Sequence, residues 1–466
     1  MGHMFARKMF IAAVSFSVLL SVIGTQSSSA ASARGRCSKV GLTQRTKGVT
    51  FTCVKNGKSL RWTRATNKKS SPATTAQDAY VQPTQSSDGA DLCKLRDQSS
   101  QRLQFQALVA GFPTLEKNFE KSGSFKVAFI PIDFSDQVGE SDPVGRYRDQ
   151  MKLFVDYYDM VSEGRVKFEW STHNSWVRLP GSISAYSNAR SNDNYSIATA
   201  AMSAADPVFD FSGVRAVYFV LPKAQTAIRE SVQGFLHGPF GSSGGFQTAE
   251  ARIVNFALAG NYFDQPNKSV WSYWAHETGH MFPLPDLYDQ TGQWGAVALP
   301  IPGGPFSGFD MMANQDGPSR TLSSWLRFIQ GWISDTQVFC KSIESLSSLQ
   351  IMLNPIDNRS PGFKSVMVRT SDSRLVVVES RRTSSFDCPS ASRNGIIVYT
   401  VDTRISHGEG IQRLVAPSGR GLVNEYGCGV PPQYDAILKG GDSVSVDGIT
   451  VRFVKSGTYD TVEVSK

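Results

Sequence analysis

His276-Glu-Thr-Gly-His-Met-Phe-Pro-Leu-Pro-Asp-Leu-Tyr-Asp289 is the stretch on which the reading of this chain turns. His276 and His280 stand four residues apart, and on an α-helix that spacing puts both side chains on one face. Two imidazoles can then reach one metal ion. Glu277 is rotated by about 100° from His276. That rotation suits a carboxylate acting as base beside a metal-bound water, rather than a third ligand. The flanks support a helix: Ser269 is a candidate N-cap, Trp274, Thr278 and Met281 offer a packing face, and Pro283 stops it. With six histidines in 466 residues, a chance match is expected on the order of once in several hundred such chains.

A hydrolytic zinc site keeps three protein ligands and one position open to water. Between His280 and Glu344 the chain has no Glu and no His, which leaves Asp286, Asp289, Asp310, Asp316 and Asp335. Asp286, six residues after His280, has the spacing of the last ligand in an HExxHxxGxxH-type site. The bland alternative, a residue capping the next turn, stays open at this point. Phe309-Asp310-Met311-Met312-Ala313 follows a Gly/Pro-rich loop, so Met311 or Met312 could form an apolar turn beneath the metal.

Working outward, Lys126–Asp133 is a mostly apolar run suited to a buried strand, and Arg146–Val161 has helical spacing. Val166–Trp170 and Ala216–Leu221 read as further strands, with a helix near Ile197–Ala205 between them. This alternation predicts an α/β (α+β) peptidase domain over residues 93–345. Ser365–Arg369, Leu375–Glu379, Gly395–Val401 and Ser443–Val454 are short strands that predict a β-sandwich-like C-terminal domain over residues 346–466. Ala251–Leu258 reads either as an edge strand that pairs with an extended substrate or as a plain core strand. His173, His237 and His407 stand alone without paired ligand spacing and are read as surface or structural residues.

Residues 1–33 have the order of a secretory signal peptide: Arg7 and Lys8, an apolar run from Met9 to Gly24, then small residues with Ala30 or Ala33 as cleavage points. The run is short for a spanning helix and no second run of that length follows, so export without a membrane span is predicted. The net charge of +8 is unevenly placed. No Asp or Glu precedes Asp78, whereas Arg7, Lys8 and eleven Lys or Arg lie between there and Lys69, leaving 35 basic against 40 acidic residues beyond. A nucleic-acid enzyme is disfavoured; residues 34–69 are instead a candidate contact for an anionic cell envelope. Residues 34–66 form a small basic module, and residues 67–92, rich in Ser, Thr, Gln, Asn and Ala, read as a linker or the end of a propeptide. Six cysteines in an exported chain suggest disulfides; proximity pairs Cys37 with Cys53 and Cys388 with Cys428, leaving Cys93 with Cys340.

The stretch from His276 to Asp289 resembles the immune inhibitor A family of secreted bacterial metallopeptidases, whose pattern is close to HExGHxxGLPDxYD. Asp310-Met-Met-Ala313 and Leu322–Ile333 resemble that family's Met-turn and following helix, and Val127–Phe134, Tyr157–Val166 and Val376–Asp402 resemble further blocks. The resemblance implies a metzincin-like domain with His276, His280 and Asp286 as zinc ligands, Glu277 as catalytic acid/base and Met312 in the turn. It also leaves room for calcium, without assigning ligands. Pro283 stands where the family has Gly. Glycine permits a positive φ whereas proline fixes φ near about −65°, so the path to Asp286 is expected to differ.

Together these features predict a secreted zinc endopeptidase acting on proteins or peptides through an activated water and Glu277. Two alternatives accompany it: a non-catalytic envelope-binding protein, and a zinc hydrolase of cell-wall peptides or amides.

Overall fold

The computed structural model describes residues 35–46, 49–64, 80–99, 108–114, 119–187, 193–236, 244–266, 268–289, 306, 308–317, 319–386, 391–423 and 433–466. It divides into two compact units, Met1–Gln77 and Asp78–Lys466. The signal segment, residues 67–79, His237, Cys388 and Cys428 lie outside the described residues.

In the first unit, β1 (Thr43–Thr46), β2 (Val49–Asn56) and β3 (Ser59–Arg64) make an antiparallel three-stranded sheet. Phe51, Cys53 and Trp62 are its buried apolar residues, too few to hold three strands unaided. The expected Cys37–Cys53 disulfide closes it, with Cα atoms 5.9 Å apart.

The second unit is mixed α/β, with several sheets and few helices. Its first sheet is organised around β4 (Gly123–Asp133). Val127 and Phe129 face a core containing Phe154 and Tyr158 of α1 (Arg148–Val161), whereas Ala128 and Ile130 face one containing Ile197 and Met202 of α2 (Asn194–Ala205). A strand with period two and helices on both faces must be apolar at nearly every position, which explains this run. β5 (Val166–Thr172) and β7 (Val214–Val220) pair parallel to β4, and β6 (Val177–Arg178) extends one end. Next come β8 (Val232–Phe235), a separate ladder of β9 (Phe246–Gln247) with β10 (Arg252–Ile253), and β11 (Asn255–Ala259). β11 pairs with β7 on one side and antiparallel β8 on the other, so it is a core strand, and the margin belongs to β8.

After helices α3 (Val270–Met281) and α4 (Ser324–Ile329), the chain builds two more sheets. β12 (Val338–Ser342), β14 (Ser365–Arg369), β15 (Arg374–Arg381), β16 (Gly395–Asp402) and β17 (Gln412–Leu414) form one. β13 (Leu349–Leu353), β20 (Ser443–Val446), β21 (Ile449–Lys455) and β22 (Asp460–Ser465) form the other, while β18 (Leu422–Val423) pairs with β19 (Gln433–Tyr434). Val366, Val376 and Val398 share a core with Ile351, Val451 and Val462 across the two sheets. The other face of the five-stranded sheet, with Met367, Val377 and Tyr399, joins the core that holds α3 and α4. The expected boundary at 345/346 therefore falls inside a unit whose layers share apolar cores. Among the described residues no helix is long and apolar enough to cross a membrane.

Residues 80–92, expected as the end of a linker, are instead a strap along strand margins. Tyr80 meets the Tyr459 ring at 5.3 Å, Gln350 N–H donates to Thr84 Oγ1 (2.7 Å), Asp88 N–H donates to Cys340 O (2.9 Å), and Lys341 pairs with Asp88 (2.6 Å). Few apolar residues are needed for such anchoring, because backbone and short polar side chains make it. The expected Cys93–Cys340 disulfide ends the strap across 247 residues of sequence. A cross-link closing so long a loop stabilises mainly by limiting the unfolded chain. Cys93→Ala with Cys340→Ala is expected to lower unfolding free energy by about 4 kcal/mol in denaturant titrations. A loss below about 1 kcal/mol would remove that account.

Candidate metal centre

The residues that matter sit on α3 and the turns that follow it. Trp274 and its neighbours bury the back of the helix: Tyr158 OH donates to Ala275 O (2.7 Å), and Tyr273 OH donates to Leu258 O of β11 (3.1 Å). Ser269 holds the N-cap position without a side-chain bond, contrary to the sequence expectation. An exposed N–H of the first turn is met instead from outside, Trp271 N–H donating to Gln150 Oε1 of α1 (3.2 Å). At the other end Phe282 N–H and Leu284 N–H close onto Gly279 O, so the helix ends at Met281 as expected. Pro283 follows, in the turn that leads on to Asp286, and Val109 N–H donates to its carbonyl (3.2 Å).

This turn delivers Asp286 to the histidines. Asp286 Oδ1 lies 3.1 Å from His276 Nε2 and 3.4 Å from His280 Nε2, and all three residues are buried. Their three ligating atoms lie within 4.8 Å of one another, and among the described residues this is the one such group of His, Cys, Asp or Glu. Each imidazole is aimed by its other nitrogen: Nδ1–H of His276 donates to Met311 O and that of His280 to Leu284 O, both at 2.9 Å. Since a carbonyl only accepts, these bonds place a proton on each Nδ1 and turn each Nε2 toward Asp286. Asp286 Oδ1 is a buried oxygen without a hydrogen-bond partner. Two nitrogens and an orphaned carboxylate oxygen converging on one point are a donor set that fits zinc.

The turn at Asp310–Ala313 supports the same group from below. Met311 contributes the carbonyl just described, and Met312 lies under the helix, where a Cβ on Gly279 would stand 2.6 Å from its sulfur. Leu287 N–H donates to Met312 O (3.0 Å), tying the loop that carries Asp286 to this turn. Asp310, which the sequence offered only as one of five aspartates, is fully buried and accepts from Met312 N–H (2.7 Å) and Ser323 N–H (2.6 Å). Burial pushes its carboxyl up to about 6 despite these bonds.

Glu277 is partly exposed and lines a cleft of about 350 Å³ with Ser231, Tyr262, Phe263 and Tyr273. Burial pushes its carboxyl above the ordinary range, against the pull of His276 and His280. Two residues were missed. Tyr288 OH donates to Asp286 Oδ2 (2.7 Å), and His407, read from sequence as a lone surface or structural residue, places Nδ1 3.3 Å from that same oxygen. Tyr288 lies within the quoted stretch but was given no role, whereas no local spacing signals a contact between His407 and Asp286. His173 packs against Phe209 instead.

With no metal bound, the 3.4 Å contact between His280 and Asp286 favours a buried ion pair. Burial alone would lower the His280 imidazole, but Asp286 outweighs it and pushes the group up to about 9. Asp286 is held well below its usual range, burial opposing and the two histidines prevailing. The stability carried by His280 is complete below its unfolded value of 6.5 and is lost as pH rises through about 9. That carried by Asp286 is present above 3.8 and lost on strong acidification. Stripped protein is therefore expected to lose about 2 kcal/mol between pH 7 and 10, read as a falling Tm, and zinc loading at pH 7 should release protons. A Tm flat over that range excludes the pair.

No protein-family model matches the chain, and no curated protein matches it. Among solved structures it is similar to a catalytically inactive OgpA from Akkermansia muciniphila, in complex with an O-glycopeptide (glycodrosocin) substrate. Identity is 10%, the match covers 66% of this chain and 95% of that one, and the TM-score is 0.24. At that score the likeness assigns neither fold nor function to this chain.

Proposed function

We propose that this chain is a zinc-dependent endopeptidase of metzincin-like design, with His276, His280 and Asp286 as ligands and Glu277 as general acid/base. The supporting observation is the orphaned Asp286 Oδ1 facing two oriented imidazoles, next to a cleft that Glu277 lines. Zinc, when bound, supplies Lewis acidity that polarises a peptide carbonyl and acidifies a water. Glu277 would accept the proton of that water and return it to the leaving amine. Tyr262 and Phe263 give the cleft an apolar wall for a side chain next to the cleaved bond. β8, at the sheet margin beyond Ser231, offers backbone groups to an extended peptide. The reading includes export, with residues 34–69 as a contact for anionic envelope.

Purified protein should hold about one zinc per chain and cleave unfolded casein, with activity lost to a chelator and restored by zinc. Mass spectrometry should find new peptide termini. Absence of zinc, chelator-resistant cleavage, or action only on peptidoglycan amides would overturn the proposal.

A further inference from the structure

We propose that His407 is a positioning residue of this centre, holding Asp286 so that a single oxygen faces the metal. The inference rests on the zinc reading. Asp286 turns Oδ1 toward His276 and His280, while Oδ2 points away and meets Tyr288 OH at 2.7 Å and His407 Nδ1 at 3.3 Å. A carboxylate with both oxygens loose can rotate and offer either or both to a cation. Engaging that oxygen with the Tyr288 hydroxyl and with the charge contact from His407 fixes which remains. The carbonyls of Met311 and Leu284 do the same for the two imidazoles, so every member of the group has its own aiming partner.

The two partners differ in what they anchor to. Tyr288 is two residues from Asp286 and moves with the same loop. His407 arrives from the connection between β16 and β17, in a different sheet. That connection also grips the ligand loop by its backbone: Gly408 N–H donates to Asp286 O (3.1 Å), and Glu409 forms an antiparallel bridge with Asp289. Gly408 at φ 72° and Gly410 at φ 79° let the chain double back there, a conformation costly for other residues. His407 thereby cross-links the third ligand to the five-stranded sheet, and that sheet belongs to the metal centre.

The test is zinc affinity by chelator competition, with the visible spectrum of the cobalt-substituted protein as a direct view of ligand geometry. His407→Ala is expected to weaken zinc by about 10–100-fold and to shift the cobalt bands. His407→Asn, whose amide nitrogen takes the place of Nδ1, should recover affinity to within several-fold of wild type. Metal-free melting and far-UV circular dichroism of both variants should match wild type, which separates loss of positioning from loss of fold. An unchanged Kd and cobalt spectrum in His407→Ala, or equal losses in the two variants, overturns the inference. A wild-type protein without zinc that His276→Ala removes would instead overturn the zinc reading itself.

Discussion

Glu277→Gln is expected to keep zinc content at the wild-type level while lowering kcat by a factor of about 10² to 10⁴. The amide has the size and shape of the carboxyl group, so the half-buried cleft wall beside Tyr273 should not collapse. What disappears is the ability to accept a proton. Glu277 stands outside the group of three convergent ligand atoms, so its replacement should leave metal binding nearly untouched. Measuring kcat alongside zinc content separates the two roles. Full activity in Glu277→Gln would rule out the acid/base assignment, and loss of zinc would move Glu277 into the ligand set.

The second large effect concerns Asp286, the proposed third ligand. Asp286→Asn is expected to weaken zinc by about 100-fold or more, because a neutral amide replaces the one anionic donor of the set. The substitution has a further consequence in stripped protein. Burial lowers both imidazoles, and it is chiefly Asp286 that outweighs burial and raises them. Without that carboxylate, His276 and His280 should titrate below the usual value of 6.5 rather than above it, as histidine NMR titrations would show. Unchanged zinc affinity in Asp286→Asn would return the choice of ligand to the other aspartates.

Much of this centre was legible because its parts are local. The i, i+4 pair, the six-residue step to Asp286 and the stop at Pro283 all lie within one stretch, where helix geometry alone decides who meets whom. β4 was legible for a related reason, since burial on both faces leaves an unbroken apolar run. Ser269 misled because a cap-type residue in the cap position need not form the bond when Gln150 reaches the same turn from another helix. His407 and the strap at residues 80–92 were illegible for a third reason. Their partners are set by how distant sheets stack, and single hydrogen bonds leave no periodic trace in sequence.

The strap beginning at Tyr80 has a consequence for how the molecule would change on processing. The strap from Tyr80 to Cys93 is fastened to the sheets by hydrogen bonds and the Cys93–Cys340 link. A single peptide-bond cleavage between Lys69 and Asp78 would therefore strip off every basic residue of the N-terminal segment and leave a body with 35 basic and 40 acidic residues. The parent would bind a cation exchanger and its product an anion exchanger. One cut would change the electrophoretic sign of the protein and spare the metal centre.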